Sequence, residues 1–301
     1  MSAPSALRPG QPVGDALREI AAGMVAEVQA ILDDTAREPS RTVHDIRRNL
    51  KRWRALLRML TPFIGESGQT LRHDARDLAR KLTTARDAQS VIDAFQDAVG
   101  APDQPIGLSA RSIATIQARL EASRLDGERW VWNAALRRQI SDYLASAASQ
   151  VAQWDLSGVS FSDLAGTLAR TYRRARRAVP KSWQDIGAEQ LHDLRRRVVE
   201  HRYQMELVEP AWPRLGRIWV SEAQRLRNRL GKYQDLAVLS EKAAPHQPLA
   251  PWRAKLMPII ALRQAEHAAS ASRIAARLFA EPPKAFRRRI EALWEAQPGG
   301  L

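Results

Sequence analysis

The strongest constraint on this chain is an ungapped internal repeat. Shifted by 148 residues, VHDIRRNLKRWRALLRMLTP (43–62) falls on LHDLRRRVVEHRYQMELVEP (191–210). His44, Asp45, Arg47, Arg48, Arg54 and Pro62 meet His192, Asp193, Arg195, Arg196, Arg202 and Pro210. The register holds beyond these strings. Asp15 meets Asp163, Leu78 meets Leu226, Lys81 meets Arg229, Leu82 meets Leu230 and Asp87 meets Asp235. Helical periodicity alone would yield the leucine matches, but not H-D-x-R-R with a downstream Asp at the same spacing twice. The repeat predicts two similar units, residues 13–155 and 156–297, after a disordered segment at 1–12.

Each unit reads as helical. Leu17, Ile20, Met24, Val28, Ile31 and Leu32 form a stripe of helical period over 14–37. Val43, Ile46, Leu50, Trp53, Leu57 and Leu60 do the same over 42–60, where Pro62 is expected to end the helix because it cannot continue the hydrogen-bond ladder. Leu71, Ala75, Leu78, Leu82 and Ala85 mark a third helix, and further helices are expected near 87–98, 109–123 and 128–153. No stretch alternates with period two for long enough to make a strand. The expected fold is all-α, two similar helical bundles, with loops at 100–107, 154–163 and 245–251.

Charge and composition narrow the function. Among 301 residues there are 47 Lys and Arg against 33 Asp and Glu, a formal charge of +14. Forty of the cations are Arg, whose planar fork matches phosphate or carboxylate oxygens two at a time. A GC-rich genome could account for the preference for Arg over Lys, but not for the net charge, which points to a polyanion. The absence of Cys excludes disulfides, thiolate zinc sites, iron–sulfur clusters and a cysteine nucleophile. No apolar run approaches a membrane span, and the first residues, MSAPSALRPGQPVG, lack the pattern of a secretory signal. A soluble, cytoplasmic protein is expected.

The repeated helix carries a row of cations. His44, Arg47, Lys51, Arg54 and Arg58 step by three and four, each one position after a stripe residue, so the row runs beside the apolar seam. The second copy keeps His192, Arg195 and Arg202, while Val199 and Glu206 stand where the first has Lys51 and Arg58. Like charges at this spacing disfavour a helix, so a row repeated in both copies points to an anion site rather than a solvated face. His201 falls on the seam opposite Trp53 and reads as a core histidine. Arg170, Arg173, Arg174 and Arg177 share a face in the second half alone, with Arg173 and Arg177 as secondary candidates. Arg287, Arg288 and Arg289 read as helix-surface charge.

The H-D-[IL]-R-R strings resemble those of the CHAD family, the conserved histidine α-helical domain. LTTARDAQSV (82–91), LRNRLGKYQDLAVL (226–239) and RYQMEL (202–207) are similar to its other segments, and the resemblance covers about 13–296. It implies two four-helix bundles around a basic central channel that binds inorganic polyphosphate, in binding proteins associated with polyphosphate granules and not known for catalysis. Carried over by position, the implied contacts are His44, Arg47, Lys51 and Arg54, then His192, Arg195 and Arg202, with Arg48 and Arg196 as weaker candidates. Lys81 and Arg229 join them as matched cations on the third helices. Val199 stands where the family has lysine, and Gln89 where it has a second acid.

Three functions compete at this level. Polyphosphate needs only a cation-lined channel, and an imidazole facing phosphates would tighten binding as pH falls. Nucleic acid would use the same energetics, but no recognised motif is present, and Trp53 and Trp219 fall on seam positions as core rather than stacking surfaces. Trp130, Trp132 and Trp183 are not placed. A metal-dependent phosphohydrolase built on His44-Asp45, His73-Asp74 and His192-Asp193 would need converging neutral ligands. The neighbouring arginines would repel a divalent cation. The Asp of each repeated doublet is expected in the first helical turn, where it favours the helix dipole. The expected protein is therefore a non-enzymatic polyphosphate binder without cofactor or metal.

Overall fold

The computed structural model describes residues 6–82, 84–100, 107–128, 132–184 and 186–297. The Asp87 side chain, residues 101–106 of the expected loop and Trp130 lie outside the described residues. Ten α-helices follow one another, with no strand among the described residues. They are α1 (Val13–Asp33), α2 (Pro39–Lys81), α3 (Thr84–Val99), α4 (Ala110–Glu128) and α5 (Ala134–Ala152). Then come α6 (Phe161–Ala178), α7 (Ala188–Val208), α8 (Pro213–Lys242), α9 (Arg253–Leu278) and α10 (Pro283–Glu295). Two short 3-10 turns cover Glu209–Ala211 and Ala250–Trp252. The all-α expectation holds.

Local chemistry sets the starts of these helices. Asn133 accepts from the Leu136 amide at 2.9 Å to open α5, and Ser160 with Asp163 forms a reciprocal capping box for α6. Glu38 accepts from the Ser40 and Arg41 amides ahead of Pro39, the first residue of α2. Pro213 and Pro283 open α8 and α10 in the same way. Helices α1 and α6 begin at 13 and 161, α2 and α7 at 39 and 188, α5 and α10 at 134 and 283.

Proline does not end the second helix. Pro62 lies within α2, and the break comes at Gly65, with φ 63° and ψ −141°. Proline removes a single amide donor, and the turn before it still supports the chain. The sign change of φ at Gly65 is what stops the helix, in a region only glycine enters readily. The matching position, Pro213, starts a new helix after a 3-10 turn.

Two hydrophobic cores hold the helices together. The larger joins Leu17, Ile20 and Val28 of α1 to Ile46, Leu50 and Leu57 of α2 and Ile140 and Leu144 of α5, and continues through Leu164, Leu168 and Tyr172 of α6 to Leu194 and Val198 of α7. The smaller packs Val91 and Phe95 of α3 and Ile116 of α4 on Leu236 and Leu239 of α8 and Leu256 and Ile260 of α9. Both cores draw side chains from either side of residue 156. Of the segment expected to be disordered, residues 6–12 are described, and Leu7 is fully buried with its amide donating to Leu207 O at 2.9 Å.

The aromatic expectations for the seams hold. Trp53 is buried, stacks on Trp154 with centroids 6.1 Å apart, and donates to the Tyr143 hydroxyl at 2.6 Å. Tyr143 in turn donates to Leu71 O at 2.9 Å. His201 is fully buried among Tyr172, Phe279 and Phe286, and burial pushes it down to about 3, so it is a neutral core residue. Trp219 is half-buried against the core under the Arg289 guanidinium, 4.0 Å from its ring centroid. Gly65→Ala is expected to lower stability by about 1 to 3 kcal/mol, measured by chemical denaturation. The position has open space for a Cβ, so the loss would come from backbone strain alone.

Candidate functional site

Helices α2 and α7 meet through two buried contacts. Gln204 of α7 donates to Ala55 O at 3.0 Å, and Arg58 Nη1 donates to Glu200 Oε2 at 2.8 Å. Beside this crossing opens a cavity of about 640 Å³. Eleven of its lining residues are Lys or Arg, against two acids, Glu200 and Asp235. Six pairs of positions 148 residues apart both line it: 47 and 195, 51 and 199, 54 and 202, 55 and 203, 79 and 227, 90 and 238.

The break at Gly65 completes the cationic wall. Arg54 lies below the ordinary arginine range first because it is buried, then because of Arg72, Arg76 and Arg58, with Glu200 opposing. In one straight helix Arg72 and Arg76 would stand about 27 to 33 Å from Arg54, too far to be felt through solvent. The chain therefore reverses at Gly65 and brings Arg72, Arg76 and Arg80 to the same cavity as Arg47, Lys51, Arg54 and Arg58. Arg72 is lowered by burial, then by Arg58, with Glu200 again opposing.

The second wall is less positive and more tightly braced. Arg195 Nη1 donates to Gln234 Oε1 at 2.7 Å, which turns the Gln234 amide nitrogen toward His192 Nδ1 at 2.8 Å. Nδ1 of His192 then accepts, and its Nε2–H is left as a donor on the cavity side of α7. Arg202 pairs with Glu206 at 2.9 Å and lies 4.2 Å over the ring of Tyr203, the one aromatic residue lining the cavity among the described residues. Burial raises Glu206, opposed by Arg202, Arg52 and Arg48.

The cavity gathers some of the expected residues and not others. Arg47, Lys51, Arg54, His192, Arg195, Arg196 and Arg202 line it. His44 does not and is exposed on α2. Arg48 faces Asp45 and Glu27 at 3.7 and 4.0 Å. Lys81 donates to Gln139 at 2.7 Å, and Arg229 turns to His267 Nδ1 at 3.3 Å. Arg173 and Arg177 are exposed on α6 outside the cavity. Asp45 and Asp193 are not in first turns, because α2 and α7 start earlier than expected. Asp45 pairs with Arg37 and Arg48, and Asp193 with Arg196 and Arg197. Arg58, the last cation of the expected row, lines the cavity too, whereas Arg72, Arg76, Arg80 and Arg227 were not among the expected contacts. Arg72 and Arg76 carried the same signal as the first row, each standing one position after a stripe residue, Leu71 and Ala75.

A family model describing the CHAD domain matches residues 15–244. The chain belongs to the CHAD domain family. A solved structure, that of the CHAD domain from the plant Ricinus communis, superposes with a TM-score of 0.57 at 19% sequence identity, covering 99% of this chain and 97% of that one. At that identity the likeness concerns the fold. No curated protein matches the chain.

Arg229 belongs to a different network of this CHAD fold. Asp97 of α3, 10% exposed at its side chain, accepts from Lys232 of α8, from Arg263 of α9 at 3.0 and 3.1 Å, and from His267 Nε2 at 2.7 Å. Arg229 donates to the other nitrogen of fully buried His267, which fixes the proton on Nε2. Burial works to raise Asp97, but the hydrogen bonds from His267, Arg263 and Lys232 outweigh it and hold the carboxyl well below its usual range. A carboxylate so lowered stabilises the fold fully above its unfolded value and loses that contribution as pH falls below about 4. Asp97→Asn is expected to cost about 3 kcal/mol at pH 7. Urea denaturation at pH 7, 5 and 3 checks this, and the gap from wild type should narrow only at the lowest pH.

Proposed function

We propose that the cavity between α2, α7 and α8 binds inorganic polyphosphate without transforming it. The observation that carries this reading is the convergence of eleven cations on one cavity with only two acids to offset them. Membership in the CHAD family and the earlier resemblance to its polyphosphate-binding pattern favour the same ligand. Interior phosphates of polyphosphate carry about one charge each and no bases. A wall of guanidinium forks, without a stacking platform, is the matching surface. The arginines that crowd one another in the cavity would be relieved by an anion, so ligand should raise the melting temperature.

We place the physiological role in polyphosphate-granule association or phosphate storage in the cytoplasm, with no cofactor, metal or catalytic step. No helix among the described residues is long and apolar enough to cross a membrane. Nucleic acid is the competing polyanion. With Trp53 buried and Tyr203 already covered by Arg202, the cavity offers bases little to stack on. A competition titration at about 150 mM salt decides between them. Long polyphosphate should displace single-stranded and duplex nucleic acid at equal phosphate concentration, and the reverse order would sink the proposal. Orthophosphate release that depends on His192 would overturn its non-catalytic half.

The repeat offers a second test. Positions 51 and 199 both line the cavity, and only the first carries a charge. Lys51→Ala is expected to weaken polyphosphate binding by roughly 1.5 to 3 kcal/mol before solvent screening, and to reduce the steepness of its salt dependence. Val199→Lys should do the opposite. Affinities at several salt concentrations, with thermal melts as a folding control, check both. A folded Lys51→Ala protein with unchanged affinity would place the ligand elsewhere.

A further inference from the structure

One acid sits where the proposed ligand would lie. Glu200 of α7 is 8% exposed and lines the cavity. Its Oε2 accepts from Arg58 at 2.8 Å, while Oε1 is buried with no hydrogen-bond partner among the described residues. Its charge is felt by Arg54 and Arg72 of α2 and by Arg174 of α6. A buried acceptor left without a donor is costly and rare. Here it belongs to the one glutamate, among the described residues, in a cavity lined by cations.

The chemistry of a phosphate chain distinguishes its ends from its middle at such an oxygen. An interior phosphate holds no proton near neutral pH, so every atom it presents is an acceptor, and against Oε1 two lone pairs would face each other. A terminal phosphate has a second ionisation near about pH 6, and therefore exists partly as P–OH. Once the carboxyl group turns its buried Oε1 toward the cavity, that hydroxyl can donate to it while the remaining oxygens accept from Arg54 and Arg72. We infer that Glu200, with Arg54, Arg58 and Arg72, forms a subsite for a protonated terminal phosphate, so that the protein binds polyphosphate by its chain ends. The inference rests on the polyphosphate reading above and adds to it a part of the ligand that the cation wall alone does not select.

The test compares polyphosphate of one length with free ends and with both ends capped as methyl esters, titrated against the full chain. Wild type should bind the free-ended form roughly tenfold or more tighter, the scale of one hydrogen bond to a charged group. In Glu200→Gln the amide oxygen stays with Arg58, and the NH2 group takes the place of Oε1, a donor facing a donor. Its preference should fall roughly tenfold below that of wild type, to what the charge of the free end alone supplies, with affinity for capped chains equal to or above that of wild type. The extra charge of a free end attracts both proteins alike, so a preference undiminished in Glu200→Gln overturns the inference. Equal affinities in wild type overturn it too, and would leave Glu200 as a structural partner of Arg58. Should the variant melt below the assay temperature, competition in wild type decides. At about pH 5, below the second ionisation of a monoester, methyl and dimethyl phosphate each carry a single charge and only the first holds a P–OH. Methyl phosphate must then displace polyphosphate better than dimethyl phosphate does, and equal displacement overturns the subsite. Failure of wild type to bind either polymer would instead sink the polyphosphate reading itself.

Discussion

Mutual repulsion among the cavity cations is the constraint around which this fold is arranged. Burial, and then Arg72, Arg76 and Arg58, lower Arg54, and burial followed by Arg58 and Arg76 lowers Arg72. Nothing local would hold them together, since like charges at helical spacing disfavour the helix that carries them. The holding force is apolar and lies behind the row. Ile46, Leu50, Trp53 and Leu57 are each within a few percent of full burial, one position before each cation. A fully buried side chain of this size contributes about 1.5 to 3 kcal/mol, against a few tenths for each like-charge pair on the surface. The seam therefore wins, and the cations face the cavity as its consequence.

Within the cavity the two walls solve the repulsion differently. The α2 wall leaves its guanidinium groups crowded and uses the single carboxylate of Glu200, reached from α7, to offset three of them. The α7 wall gives its cations individual partners: Arg195 to Gln234, Arg196 to Asp193, Arg202 to Glu206. The proposed anion would meet crowded charge on the first wall and prearranged donors on the second. The asymmetry follows from a few positions of the repeat. Arg52 of the first copy stands where Glu200 stands in the second, and Arg58 where Glu206 does.

The helical fold was legible because its signal is a period, and the seam of each helix survives into the structure. Half of the cavity was legible for a related reason. Arg47 and Arg195, or Arg54 and Arg202, recur at one spacing and end in one place. The other half was hidden by the break in α2. Reading Pro62 as the end of a helix separated Arg72 and Arg76 from Arg54, and only the backbone at Gly65 shows that the chain doubles back. Lys81 and Arg229 show the opposite failure. They match across the repeat, yet one reaches Gln139 and the other His267. Matching identifies equivalent places, and these lie outside the cavity.

What spacing cannot tell is which of forty arginines is a structural donor and which is left for a ligand, because the two differ only in what waits at the end of the side chain. Arg176 gives its Nε–H to Phe279 O at 2.9 Å, Arg289 pairs with Glu281 and covers Trp219, and Arg263 is bound to Asp97. Each of these is spent inside the fold, satisfying a carbonyl or a carboxylate that would otherwise be stranded. Arg54 meets other cations instead, and its Nε finds no acceptor among the described residues. A cation half-buried among cations gains nothing from those neighbours. The buried seam behind the row holds it there, and the proposed anion would give it a partner.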